Sequence, residues 1–274
     1  MNSYICSTCG VQYSASEKPP AHCLICEEER QYVSPKGQSW TTLAEMRESG
    51  TYRNEILFEE ESLYSITTAP AFGIGQTAYL VQDKEFNLLW DCISYLDKET
   101  IAEVNQLGGI NAIALSHPHY YSAQAEWAEE FNAPIYIHED DKEWVTRPSE
   151  KIIYWSGEVL HLTDSLSLYR LGGHFKGGAV LHWKSGFNNK GILLTGDVIQ
   201  VVADREWVSF MYSYPNLIPL PAGIVSRIAS KTSELSFERL YNAFHRVVKE
   251  DAQQAVQRSA ERYIKALEGN LFKT

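Results

Sequence analysis

The chain has no run of eighteen consecutive apolar residues, so nothing in it reads as a membrane-spanning helix. Positive charge is scarce: 24 Lys and Arg face 35 Asp and Glu, a formal net charge of −11. A surface of that sign disfavours a phosphate backbone or an anionic membrane as the main partner. Cysteine is also scarce, with 5 residues. Four of them fall in two Cys-x-x-Cys pairs and Cys92 stands apart. That pattern argues against a disulfide framework and suits metal-bound thiolates in a reducing cytosol. The opening Met1-Asn2-Ser3-Tyr4-Ile5-Cys6 lacks the charged and apolar regions of a secretory signal, and a cytoplasmic protein is expected. Internal repeats and low-complexity tracts are missing as well.

What is there suffices for one large domain and a small appendage: 274 residues, 44% of them hydrophobic. The appendage is read as residues 1–36 and the main domain as residues 37–274. Cys6-Ser7-Thr8-Cys9-Gly10 and Cys23-Leu24-Ile25-Cys26 form two knuckles, each able to grip one ion with two thiolates. Together they complete a tetrahedral four-sulfur shell. Cys6, Cys9, Cys23 and Cys26 are therefore expected to hold a structural zinc, although such a shell also suits iron. So short a segment needs an ion to be stable. Its charges show no basic surplus, so a folding staple or a dock for a protein partner is favoured over nucleic-acid binding. Ser34-Pro35-Lys36-Gly37 reads as a linker.

In the main domain, Asn54 to Ser65, Thr77 to Val81 and Asn87 to Cys92 read as strands. Asp97 to Gln106 has helical spacing, stopped by Gly108-Gly109. Ile110 to Leu115 is a short buried strand that delivers His117 and His119 at its carboxyl end. Ser122 is placed to cap the next helix. Pro134 to His138, Ser165 to Arg170, Ala179 to Trp183 and Gly191 to Leu194 are further strands, and Asp251 to Leu267 is an amphipathic helix. Strands in two batches, each closed by helices, indicate two sheets sandwiched between helices.

Four residues stand out chemically: His117 and His119 in Ser116-His117-Pro118-His119, His174 after Gly173, and Asp197 after Gly196. Three imidazoles on one ion leave a coordination position for water, and zinc there lowers the pKa of that water towards ~7. Asp197 suits either a ligand or a base that accepts the water proton. Two His and one carboxylate on one face of an ion also match the arrangement of non-haem iron oxygenases.

The order of these motifs resembles the metallo-β-lactamase-fold superfamily over roughly residues 50 to 268. That family carries His-x-His-x-Asp-His after a strand, then Gly-His, Gly-Asp and a last His. The resemblance implies an α+β fold, a four-layer αββα sandwich, here preceded by a small zinc ribbon. It implies that His117, His119 and His174 bind a first metal, zinc or iron, with Asp197 bridging to or belonging to a second. Tyr121 and Ser122 stand where the family has Asp and His. A phenol is a poor ligand at neutral pH, so one metal in a degenerate site is expected. Asp91, ending an early strand, resembles the acidic residue that supports the site from behind the ligands. His245 matches the last family His only weakly, in a segment without a neighbouring Gly. Tyr120 and Tyr121 are read as pocket walls or donors to a substrate. The segment Phe210 to Pro215 is read as lining or covering the pocket.

These readings lead to a metal-dependent hydrolase acting on a small molecule, with water attacking an ester, thioester or lactone-type bond. One alternative is a mononuclear non-haem iron dioxygenase of a thiol or persulfide. The other is a non-catalytic scaffold whose ribbon docks a protein.

Overall fold

The computed structural model describes residues 1–273. The chain divides into two compact units, Met1–Trp155 and Ser156 onward. Each mixes strands and helices, the expected α+β class with several sheets.

The first unit opens with β1 (Tyr4–Cys6) and β2 (Trp40–Thr42), a two-stranded antiparallel sheet, followed by α1 (Leu43–Glu48). A capping box fixes the start of α1: Thr42 Oγ1 accepts from the Glu45 N–H at 3.1 Å, and Glu45 Oε2 accepts from the Thr42 N–H at 2.8 Å. There follow β3 (Arg53–Glu60), β4 (Leu63–Ala69), β5 (Ala78–Asp83), β6 (Phe86–Trp90), α2 (Lys98–Gln106), β7 (Ala112–Ala114), α3 (Gln124–Glu130), β8 (Ile135–His138) and β9 (Ile152–Trp155). The seven strands from β3 to β9 pair in chain order. The first four form an antiparallel meander, and β6 to β9 run parallel. Strand β7 (Ala-Ile-Ala) is buried at every position, as a parallel strand covered on both faces must be.

Two local expectations need correction. Asn54 to Ser65 is not one strand but the hairpin β3–β4, turning at Ser62, whose φ of 64 breaks the extended run. Ser122 does not cap α3, whose N-cap is Ala123 without a side-chain cap. Ser122 instead sits at φ 41, and its Oγ accepts from Gln76 Nε2 at 2.8 Å.

The second unit contains β10 (Val159–His161), β11 (Leu166–Arg170), β12 (Ala179–Trp183), the irregular turn α4 (Gly186–Asn189), β13 (Ile192–Leu194), β14 (Gln200–Val201), β15 (Val208–Ser209), β16 (Met211–Ser213), β17 (Ile218–Pro219), α5 (Ala222–Ser233), β18 (Arg239–Tyr241), β19 (Val247–Val248) and α6 (Ala252–Leu267). Its main sheet has the order β10-β11-β12-β13-β18-β19 and is antiparallel apart from the β13–β18 pair. Helix α5 has no counterpart among the elements read from sequence. It packs its Val225 and Ile228 with Val256 and Ala260 of α6 in the unit's apolar core.

Open sheets with parallel strands collect functional groups beyond the strands' carboxyl ends. Asp91 follows β6, His117 follows β7, and these strands are parallel neighbours, so both emerge at one edge. In the second unit Asp197 follows β13. The antiparallel register Leu181↔Leu194 brings the loop before β12, with His174, to that same end of β13.

Candidate metal centres

In the first unit the two knuckles fold as matching turns. The Gly10 N–H donates to the Cys6 carbonyl at 2.8 Å and the Glu27 N–H to the Cys23 carbonyl at 3.0 Å. Gly10 takes φ 81, open to glycine without strain, and a Cβ there would lie 2.5 Å from Ser94 Oγ. The sulfurs meet across the knuckles, Cys6 to Cys26 and Cys9 to Cys23, each at 3.6 Å. Sulfurs about 2.3 Å from a shared tetrahedral ion stand about 3.8 Å apart, so this donor set fits such an ion. All four cysteines are buried, and Tyr13, Trp40, Ile74 and Trp144 pack around them. Hydrogen bonding from Cys23, Cys26 and Cys9 drives the Cys6 thiol far down, while burial drives the Cys9 thiol well up. Gln38 Nε2 donates to Cys6 Sγ at 3.0 Å, placing a partial positive charge against a sulfur.

His117 leaves β7 in extended conformation, and Pro118 to Tyr120 form one 3-10 turn that carries His119. Pro118 fixes that turn's first φ. Ser116 organises His117 from behind. Its N–H donates to Asp91 Oδ1 at 2.7 Å and its hydroxyl to Oδ2 at 3.0 Å. The hydroxyl proton is thereby committed, so the 2.8 Å contact with His117 Nδ1 makes that nitrogen the donor. Nε2 of His117 then carries the lone pair a metal needs. Asp91 thus acts through Ser116, and its φ of 62 is part of the same tight arrangement.

In the second unit His174 follows Gly173, whose φ of 88 suits glycine. His174 Nδ1 lies 3.0 Å from the Met211 carbonyl, which only accepts, so the ring again offers Nε2 as its lone-pair nitrogen. Asp197 is held by its main chain: Tyr214 donates its O–H to the Asp197 carbonyl at 3.1 Å. The Tyr214 ring also lies against His174, with centroids 5.7 Å apart. The segment from Phe210 to Pro215 therefore braces the candidate ligands. Phe210 itself is wholly buried, its ring edge-on to Tyr263.

One donor atom from each of His117, His119, His174 and Asp197 lies within 4.8 Å of the others. Three imidazoles and one carboxylate brought this close are a donor set of the kind that holds a divalent ion. Among the described residues this is one of two such groups, and the four cysteines are the other. His245 belongs to neither. It is not helical but exposed at φ 50 between β18 and β19. Tyr121 packs in the apolar core of the first unit, its phenol pushed up by burial and by the nearby Asp141. Cys92 is likewise a buried thiol, raised by burial.

The sequence singled out the segment that holds Met211 and Tyr214 and the motif that holds Ser116, but not the part each plays in holding His174, Asp197 or His117. Ser116 adjoins His117 and was open to detection. Met211 acts through its carbonyl, which no residue type announces.

Comparison with known proteins places these observations. The profile of the metallo-beta-lactamase superfamily matches residues 72–240. The "Uncharacterized protein YmaE" of Bacillus subtilis (strain 168) is 67% identical over 274 residues, covering 100% of each chain. Among solved structures, DIM-1 metallo-beta-lactamase superposes with a TM-score of 0.57 at 16% identity, covering 76% of this chain and 97% of that one. The FIM-1 metallo-beta-lactamase from Pseudomonas aeruginosa in its mono-zinc form gives 0.55 at 14%, covering 77% and 96%. At such identities these structures share the fold.

Proposed function

The chain belongs to the metallo-beta-lactamase superfamily, and we propose that it is a hydrolase using one metal ion at His117, His119, His174 and Asp197. The observation that carries this reading is the approach of three imidazoles and one carboxylate within 4.8 Å. These residues would hold the ion, which would supply a water of pKa lowered towards ~7 and a Lewis acid for a substrate oxygen.

The chain's own residues do the rest. Ser116 and Met211 fix the tautomers of His117 and His174, so neither ring has to reorganise when it ligates. Asp197 would take up the proton that the attacking water gives up. Tyr214 holds the Asp197 main chain, so the carboxylate stays aimed. Three neutral imidazoles and one carboxylate leave a divalent ion with one net positive charge, which favours a carbonyl oxygen gaining negative charge. An ester, thioester or lactone meets that description.

A single ion is supported by the fates of Tyr121 and Ser122. The Tyr121 phenol is raised by burial and keeps its proton, and the Ser122 hydroxyl is bonded to Gln76. The ribbon is proposed as a structural zinc site within residues 1–36, on the closeness and burial of its four sulfurs.

The test is hydrolysis of an ester, thioester and lactone panel by zinc-loaded protein, beside His174→Ala. Turnover that vanishes in the variant supports the proposal. Iron in the purified protein, with oxygen consumed in the presence of a thiol or persulfide, would replace it with the oxygenase reading. Absence of turnover in both proteins would leave a scaffold.

A further inference from the structure

The ribbon and the His117–His119 segment lie in the same compact unit, and their hydrogen bonds converge on one buried residue, Gln12. Its main-chain N–H donates to the Ser122 carbonyl at 3.1 Å. Its carbonyl accepts from Thr146 Oγ1 at 2.7 Å. Its side-chain amide donates to Glu126 Oε1 at 3.2 Å, and its amide oxygen accepts from Arg147. Arg147 Nη1 also donates to Glu126 at 2.5 Å, so Gln12, Glu126 and Arg147 form a closed polar ring. Behind the knuckle, Ser94 Oγ donates to the Gly10 carbonyl at 2.7 Å. A Cβ on Gly73 would come within 2.9 Å of the Gly10 nitrogen, so that loop touches the knuckle backbone to backbone.

The other end of this linkage is strained. Ser122 adopts φ 41, a region that non-glycine residues hold only when their surroundings enforce it. Two groups enforce it: the Gln12 N–H on its carbonyl and Gln76 Nε2 on its hydroxyl. Ser122 closes the segment that begins at His117, with one tight turn between. A ribbon this short keeps its shape only with its ion. Without the ion Gln12 loses its fixed place, Ser122 loses one of its two restraints, and the turn carrying His119 is free to relax.

We infer that the ribbon is a clamp: metal held by the four cysteines fixes the conformation of residues 117–124, with Gln12 as the positioning residue that transmits it. The consequence for main-site affinity rests on the ligand reading above; the ordering of the segment does not.

Amide hydrogen exchange on the full-length protein separates the two. The reporters are the N–H groups of Tyr120, Tyr121 and Gln124, bonded to the carbonyls of His117, Pro118 and Tyr121 at 3.1, 3.3 and 2.9 Å. Leu80 and Val81 in the middle of β5 serve as references. Chelation is expected to speed exchange at the three reporters by roughly tenfold or more while the references hold, and added zinc restores it. The same response in His174→Ala, which lacks one donor of the main site, shows that loss of the main-site ion is not the cause. Gln12→Ala keeps all four cysteines and the main-chain bond to Ser122 but removes the two side-chain bonds, to Glu126 and from Arg147, that hold residue 12 in place, and should speed the same amides by about fivefold or more. In that variant the second zinc equivalent should bind roughly tenfold more weakly while the first is unchanged. Unchanged reporters in both the chelated protein and Gln12→Ala would overturn the clamp. If chelation also exposes Leu80 and Val81, the Gln12→Ala result alone decides. A native protein that binds one zinc equivalent would defeat the catalytic reading, while the exchange data would still judge the clamp.

Discussion

The two donor clusters make opposite use of similar burial. At the ribbon four soft thiolates close on each other at 3.6 Å, and around a divalent ion they leave two net negative charges. Gln38 lays an N–H on one sulfur to offset that charge. No coordination position is left for a reactant. At the second cluster the donors are three imidazoles and a carboxylate within 4.8 Å; an ion there would keep one positive charge, and with Asp197 serving as base the three imidazoles would leave a coordination position for water. On the proposed reading the closed set would convert metal binding into folding, and the second set would convert it into chemistry. Aromatic rings wrap the first, whereas hydrogen bonds to Ser116 and the Met211 carbonyl orient the second.

Breaking the ribbon should therefore cost stability. Structural zinc in small modules carries roughly 10–16 kcal/mol of apparent binding free energy that is also folding free energy. Cys23→Ser is expected to lower the melting temperature of the first unit by on the order of 10 °C or more. A thermal melt unchanged by Cys23→Ser would end the assignment of that site as structural. His174→Ala should do the reverse. It removes one donor of the open set, so turnover should fall by more than roughly 100-fold, with the melting temperature moved by only a few degrees. Kinetics and calorimetry on both variants would show whether the division of labour holds.

The sequence carried the ligands of both clusters because each is a residue type at a telling spacing: Cys-x-x-Cys twice, His-x-His after an apolar strand, and Asp after Gly196. It carried the strands that present them, since β7 and β13 are continuous apolar runs. It hid what depends on tertiary approach. The tie between Gln12 and Ser122 joins residues far apart in the chain and uses main-chain atoms. The Met211 carbonyl that orients His174 has no side-chain signature. Ser122 read as a helix cap because its type favours one, but its φ of 41 places it outside the N-cap geometry. Helix α5 was missed because Ala222-Gly223 and four Ser or Thr residues blur its apolar face.

Asp91→Asn sharpens the comparison at the level of one proton. Asp91 accepts from both the N–H and the hydroxyl of Ser116. An amide there turns one acceptor into a donor. The Ser116 hydroxyl must then point its proton at His117 Nδ1, which shifts the ring proton to Nε2, the nitrogen needed for the ion. Metal affinity at the open site should fall by roughly 10–100-fold, with the ribbon equivalent retained. Zinc titration monitored by calorimetry separates the two equivalents, and equal weakening of both would count against this route.

Tyr214→Phe is the smallest change and the most discriminating. The ring that lies 5.7 Å from His174 remains, and only the hydroxyl that donates to the Asp197 carbonyl is lost. Burial, and then the charge of Asp197, hold the Tyr214 phenol well above its ordinary range, so the donor keeps its proton throughout the pH range in which a hydrolase would be assayed. Its removal should lower turnover by about fivefold, the worth of one net hydrogen bond. The shape of the pH profile should not change, because no titrating group has been deleted. A matched Tyr121→Phe change provides the contrast: its hydroxyl lies in the core of the first unit, outside either ligand group. It should leave turnover unaltered and move only the melting temperature. If Tyr121→Phe lowers turnover as much as Tyr214→Phe does, the open site reaches further into the first unit than the four ligands and their supports.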